Sequence, residues 1–91
     1  MSFDIFSSVI TSTGTAYAGR ARVKYLTFVN TATAGSIVLR DGGASGTVLM
    51  SIATPAVAGI NEVNIPADGV LFQTDVHATL TNVTSLTTFM G

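Results

Sequence analysis

SIVLRDGGASGTVLMSIAT, residues 36–54, sets two short runs rich in Val, Ile and Leu on either side of the spacer Gly42-Gly43-Ala44-Ser45-Gly46. Apolar runs separated by a Gly-rich spacer of this length predict a β-hairpin with a longer loop. Glycine reaches positive φ at little cost, so the chain can reverse there. In the second run Val48, Met50 and Ile52 are expected to share a face opposite Thr47, Leu49 and Ser51. Pro55 then ends the strand, because proline cannot donate to a ladder.

Upstream of the hairpin, RARVKYLTFVN (residues 20–30) is the longest strand candidate. Period two places Arg20, Arg22 and Lys24 on one face and Ala21, Val23 and Tyr25 on the other. Beyond Tyr25 the pattern changes. Leu26 and Phe28 continue the basic face while Thr27 and Val29 continue the apolar one. This predicts a strand solvated on one face at its start and covered on both at its end, by a second sheet or a neighbouring protomer. Residues 1–19 hold Phe3, Ile5 and Phe6, then Val9-Ile10, then a Ser/Thr/Gly/Ala stretch. They are expected to form an N-terminal strand or extended arm followed by a loop, with residues 20–91 as the β-sandwich domain.

Downstream, INEVNI (residues 60–65) predicts a strand with Val63 and Ile65 inward, and Pro66-Ala67-Asp68-Gly69 a turn. Val70-Leu71-Phe72 reads as a short apolar strand. Asp75 to Asn82 alternates, with Val76, Ala78 and Leu80 inward and His77, Thr79 and Thr81 outward. A tight turn near Val83 to Ser85 precedes a last strand, Leu86 to Met90. Seven or eight short antiparallel strands at spacings of roughly 8–12 residues, with no helical segment, predict an all-β fold. A single small sandwich of the jelly-roll kind is expected, and a small open barrel is the alternative. Fourteen threonines and ten valines suit a pleated surface.

Composition bounds the rest. A chain of 9.3 kDa forms one domain, with roughly 5,000 Å² of surface after folding and roughly 63 % of the unfolded surface buried. Charged residues make up 10 %, against about 25 % in an average soluble domain. Hydrophobic residues make up 47 % and mean hydropathy is +0.55. So few charges cannot cover the surface of a small monomer, so an oligomer is expected. Disorder is excluded, because it needs low hydrophobicity and high charge. No apolar run of about 18 residues is present, so no membrane-spanning helix is expected. MSFDIFSSVITSTG lacks the basic leader and apolar core of a secretory signal. With no cysteine there is no disulfide or thiolate metal site.

Nothing in the chain assembles into a catalytic constellation, and no cofactor is expected. Asp75 and His77 share a strand face, and they read as a surface pair rather than part of a Ser/His/Asp triad. Asp41-Gly42 and Asp68-Gly69 read as turn chemistry. DGGASG matches no phosphate-binding loop, and it carries too few acidic ligands for calcium. The stripe Arg20, Arg22 and Lys24 holds three of the four basic residues; it reads either as a solvated strand face or as the candidate docking stripe for an acidic partner surface. A net charge of −1 and the lack of interleaved aromatics give no nucleic-acid signal. Asn82-Val83-Thr84 matches a glycosylation sequon, which carries no weight without a secretion signal.

The stretches GRARVKYLTFVNTATAGSIVLRDGGASGTVLMSIATP (residues 19–55) and PADGVLFQTDVHATLTNVTSLTTF (residues 66–89) resemble small proteins that tailed bacteriophages, particularly marine ones, encode beside their structural genes. The strand ending Phe28-Val29-Asn30, the SIVLRDGG hairpin, the P-x-x-G-V-x-F turn at Pro66 to Phe72 and the L-T-N-V-T segment carry the likeness. It implies a virion-associated β-sandwich of the capsid decoration or cement type, located in the virion after assembly in the host cytoplasm. The expected partners are further copies of the chain, a trimer being favoured, and the major capsid protein or another virion protein. Phe3, Phe6, Leu26 and Phe28 are the candidates for self-contact, and Arg20, Arg22 and Lys24 for the partner. A tail, fibre or spike component binding host glycans is the alternative; the lack of Trp and the presence of only Tyr17 and Tyr25 count against it.

Overall fold

The computed structural model describes residues 5–65 and 69–91. Within them lie nine strands and no helix: β1 (Phe6–Ile10), β2 (Gly14–Tyr17), β3 (Ala21–Asn30), β4 (Gly35–Asp41), β5 (Thr47–Thr54), β6 (Gly59–Asn64), β7 (Val70–Phe72), β8 (Val76–Thr81) and β9 (Val83–Met90). They form two sheets, one in the order β1-β9-β3-β6 with β7 also on β3, the other in the order β2-β8-β4-β5. Every ladder is antiparallel. The accessible surface is 4940 Å², close to the value that chain mass alone implies.

One core fills the space between the sheets. Val23, Leu26, Phe28, Leu86 and Met90 enter it from the first sheet, and Ile37, Leu39, Val76 and Ala78 from the second. The predicted hairpin is present as β4 and β5. Its loop takes positive φ at Gly42 (105°) and Gly43 (83°), and a Cβ on Gly46 would stand 2.2 Å from the Asp41 carbonyl oxygen. INEVNI also follows its predicted parity, with Val63 and Ile65 packed on the core.

Two bulges change the predicted faces, and two more, in β2 and β9, lie where no face was predicted. In β3, Val23 pairs with Met90 but Tyr25 pairs with Phe89, so one extra residue, Lys24, enters the strand. The bulge reverses the parity of everything after it. Ala21 and Val23 point inward before it, Leu26 and Phe28 after it, and Lys24 and Tyr25 both stay outside the core. Within the chain the strand is therefore buried on one face along its whole length, and no second sheet covers the other. In β5 the register slips between the Leu39–Met50 and Arg40–Val48 pairs. That turns Val48 away from Met50 and Ile52, contrary to simple alternation. The bulge in β9 lies between Ser85 and Val83.

In the N-terminal segment the strand alternative holds for β1, and only the loop reading departs from expectation. The Ser/Thr/Gly/Ala stretch read as a loop contains β2, which pairs with β8, and β1 pairs along its whole length with β9. Residues 6–17 are thus outer strands of the chain's own sheets and not an arm. Thr13 extends the β2 side by a side-chain substitute for a ladder, accepting from the Leu80 N–H (2.9 Å). The last turn is tighter and earlier than predicted. Asn82 takes φ of 56°, a conformation Asn tolerates, and β9 starts at Val83.

Candidate interaction surface

The self-contact candidates separate. Leu26 is 0 % exposed and Phe28 4 %, so both belong to the chain's own core and cannot face a neighbour. The Lys24 bulge is the physical reason. Phe3 lies outside the described residues. Phe6 is 38 % exposed and its ring meets that of Tyr17 at 4.8 Å between centroids, tilted by 48°. This pair bridges β1 and β2 at one lateral edge of the molecule.

The basic stripe stays together. Arg20 is exposed, and Arg22 and Lys24 are half-buried, on the outward side of β3 where that strand begins. Beyond them the outer face of the first sheet is almost uncharged. Tyr25 and Phe89 lie 5.5 Å apart between centroids, and Thr27, Thr87 and Val29 continue the surface. Among the described residues Glu62 is the one acidic side chain paired into this face, opposite Thr27, and it accepts a hydrogen bond from the Tyr25 hydroxyl. That hydrogen bond, helped by partial burial, holds the Tyr25 phenol above its ordinary pKa.

Asp75 and His77 do not form the surface pair that their spacing suggested. His77 stands on the outer side of the second sheet, opposite Thr15 on β2 and Arg40 on β4, yet it is only 8 % exposed. Its Nδ1 has no hydrogen-bond partner among the described residues. The Arg40 side chain lies along the same face and donates to Thr79 Oγ1 (3.1 Å). Asp75 turns elsewhere. Its Oδ1 accepts from the Gly42 and Gly43 N–H groups at 2.9 and 3.0 Å.

Asp41 returns the favour across the same gap. Its carboxylate accepts from the N–H groups of Gln73 (3.0 Å), Thr74 (2.8 Å) and Asp75 (3.4 Å). Each loop thus supplies a carboxylate to the other loop's backbone donors. The bonds from Gln73 and Thr74 stabilise the ionised form, so the Asp41 pKa is lowered below the usual carboxylate value. This reciprocal clamp is structural. It takes up two of the chain's five carboxylates, and no local turn motif announces it.

A second polar element, also missed by sequence reasoning, is Asn30. It is 1 % exposed, and its Nδ2 donates to the carbonyls of Thr31 (3.1 Å), Pro55 (3.1 Å) and Val57 (2.8 Å). Its Oδ1 accepts from Asn61 Nδ2 (2.9 Å). Asn30 therefore ties the end of β3 to the crossover between β5 and β6. Around that crossover Val57 and Ile60 are left exposed. Ile60 was legible, since the parity that sends Val63 and Ile65 inward sends Ile60 outward with Glu62.

The described residues enclose no pocket, and no three His, Cys, Asp or Glu side chains among them gather to hold a metal ion. What the arrangement offers chemically is surface: a basic corner, an uncharged sheet face and apolar edges. Comparison with protein-family models, curated proteins and solved structures finds no match to this chain.

Proposed function

We propose that this chain is a structural subunit of a tailed-phage virion, a decoration or cement protein that self-associates and stabilises the capsid lattice. The observation that carries the reading is the mismatch between charge and surface. Only nine of 91 residues are charged, Asp41 and Asp75 are spent inside the loop clamp, and large apolar side chains stand exposed on an otherwise closed sandwich. A surface of this kind fits burial against other chains. The sequence likeness to small virion-associated proteins supplies the setting.

The fold that fits this role is a jelly roll. The strand orders β1-β9-β3-β6 and β2-β8-β4-β5 support it, with β6 and β7 taken as two halves of one outer strand on β3. The oligomer proposed is a trimer, with Arg20, Arg22 and Lys24 orienting it on an acidic patch of the major capsid protein. The test adds the purified chain to shells assembled from the major capsid protein encoded in the same genome, and measures shell rupture temperature. Saturable binding with a raised rupture temperature is expected. Shells that neither bind the chain nor gain stability would overturn the reading.

A further inference from the structure

Among the described residues, the large apolar side chains that stand exposed fall at the two lateral edges of the molecule. At one edge are Ile5, Phe6, Val9 (64 %) and Tyr17, on β1, β2 and the residue leading into them. At the other are Val48, Leu49, Val57 (72 %) and Ile60 (80 %), on β5, β6 and the loop between them. The sheet orders place β1 and β2 at one end of each path and β6 and β5 at the opposite end. The inner strands β3, β4, β8 and β9 contribute none.

These edges also lack two of the usual protections against pairing with another chain, although β2 and β5 each carry a bulge. Outer strands are normally blunted by charge or proline. FSSVI, GTAY and TVLMSIAT carry neither, and Glu62 of β6 is engaged by Tyr25. Because all ladders are antiparallel along each four-strand path, the two outer strands of a path run in opposite directions. A second copy in the same orientation therefore offers β1 antiparallel to β6 and β2 antiparallel to β5.

We infer that self-association is heterologous: the β1–β2 edge of one copy packs on the β5–β6 edge of the next, and the contacts close into a ring. A two-fold dimer through either edge would leave the other apolar edge of both copies open. A closed ring covers both edges of every copy. The inference rests on the proposed self-association, and its test distinguishes the two.

The experiment compares the solution masses, by light scattering, of the full chain, of Val9→Lys, of Ile60→Lys and of an equimolar mixture of the two variants. Both side chains are more than half exposed, and far-UV circular dichroism checks that the variants fold; Val57→Asp repeats the test on the second edge outside any strand. The parent is expected to be a ring, and each variant alone a monomer. The mixture is expected to be a dimer, because the intact β5–β6 edge of Val9→Lys meets the intact β1–β2 edge of Ile60→Lys. A variant that keeps the parent's mass, or a mixture that stays monomeric, would overturn the edge assignment while leaving self-association standing. A monomeric parent would overturn both.

Discussion

Asp41 accepts three backbone N–H groups from the loop before β8, and this fixes how the fold responds to acid. Its folded pKa lies below that of an unfolded aspartate, so its contribution is present above about pH 4 and is lost as pH falls through the folded value. Asp41→Asn is expected to melt at a lower temperature than the parent at pH 7, with the two curves converging below about pH 4. A gap that does not change with pH, followed by circular dichroism, would refute the assignment. Asn30→Ala leaves the Pro55 and Val57 carbonyls without their side-chain donor and is expected to cost about 1–3 kcal/mol in urea unfolding. Neither role was legible in the sequence. Asp41 ends β4 where Gly42 opens the hairpin loop, but its carboxylate acts on residues more than thirty positions away. Asn30 looked like the polar end of a strand because its partners arrive only with the β5–β6 crossover.

At the scale of elements, the bulge at Lys24 decides which side of β3 meets the core. Tyr25-Leu26-Thr27-Phe28-Val29 offers bulky residues at both parities, so the alternation is compatible with either face and cannot announce the slip. The first half of the strand and the β4–β5 hairpin were legible because charge and glycine mark them unambiguously. Placement of Leu26 in the core predicts that Leu26→Ala costs about 2–5 kcal/mol of stability and leaves the solution mass the same as the parent's. An interface residue would do the reverse, and unfolding curves beside light scattering decide it. Just before β7, Gly69 approaches the backbone of β3 closely. Its φ is +81°, and a Cβ there would stand 2.3 Å from the Val23 carbonyl oxygen. Gly69→Ala is expected to destabilise by more than about 1 kcal/mol in the same assay.

At the scale of the whole molecule, the contacts that close the sandwich join distant parts of the chain, Phe6 opposite Met90 being the extreme. Such topology must meet the cost of closing long loops before packing rewards it, so refolding is expected on the millisecond-to-second scale in stopped-flow fluorescence of the tyrosines. Microsecond refolding would contradict the sheet order. The all-β class was readable because turn signals recur between short apolar runs, and the scarcity of charge pointed to covered surface. The edges that the proposed self-association uses could not be read, because an edge is a property of sheet order and not of any one strand. The pairing of β1 with β9 has a mechanical consequence. Phe6 and Met90 lie side by side at one end of this ladder, so tension applied between these two residues would peel β1 from β9 one hydrogen bond at a time and never shear the ladder as a unit. A particle that relied on this protein under internal pressure would have to load it across its flanks, leaving that pair slack.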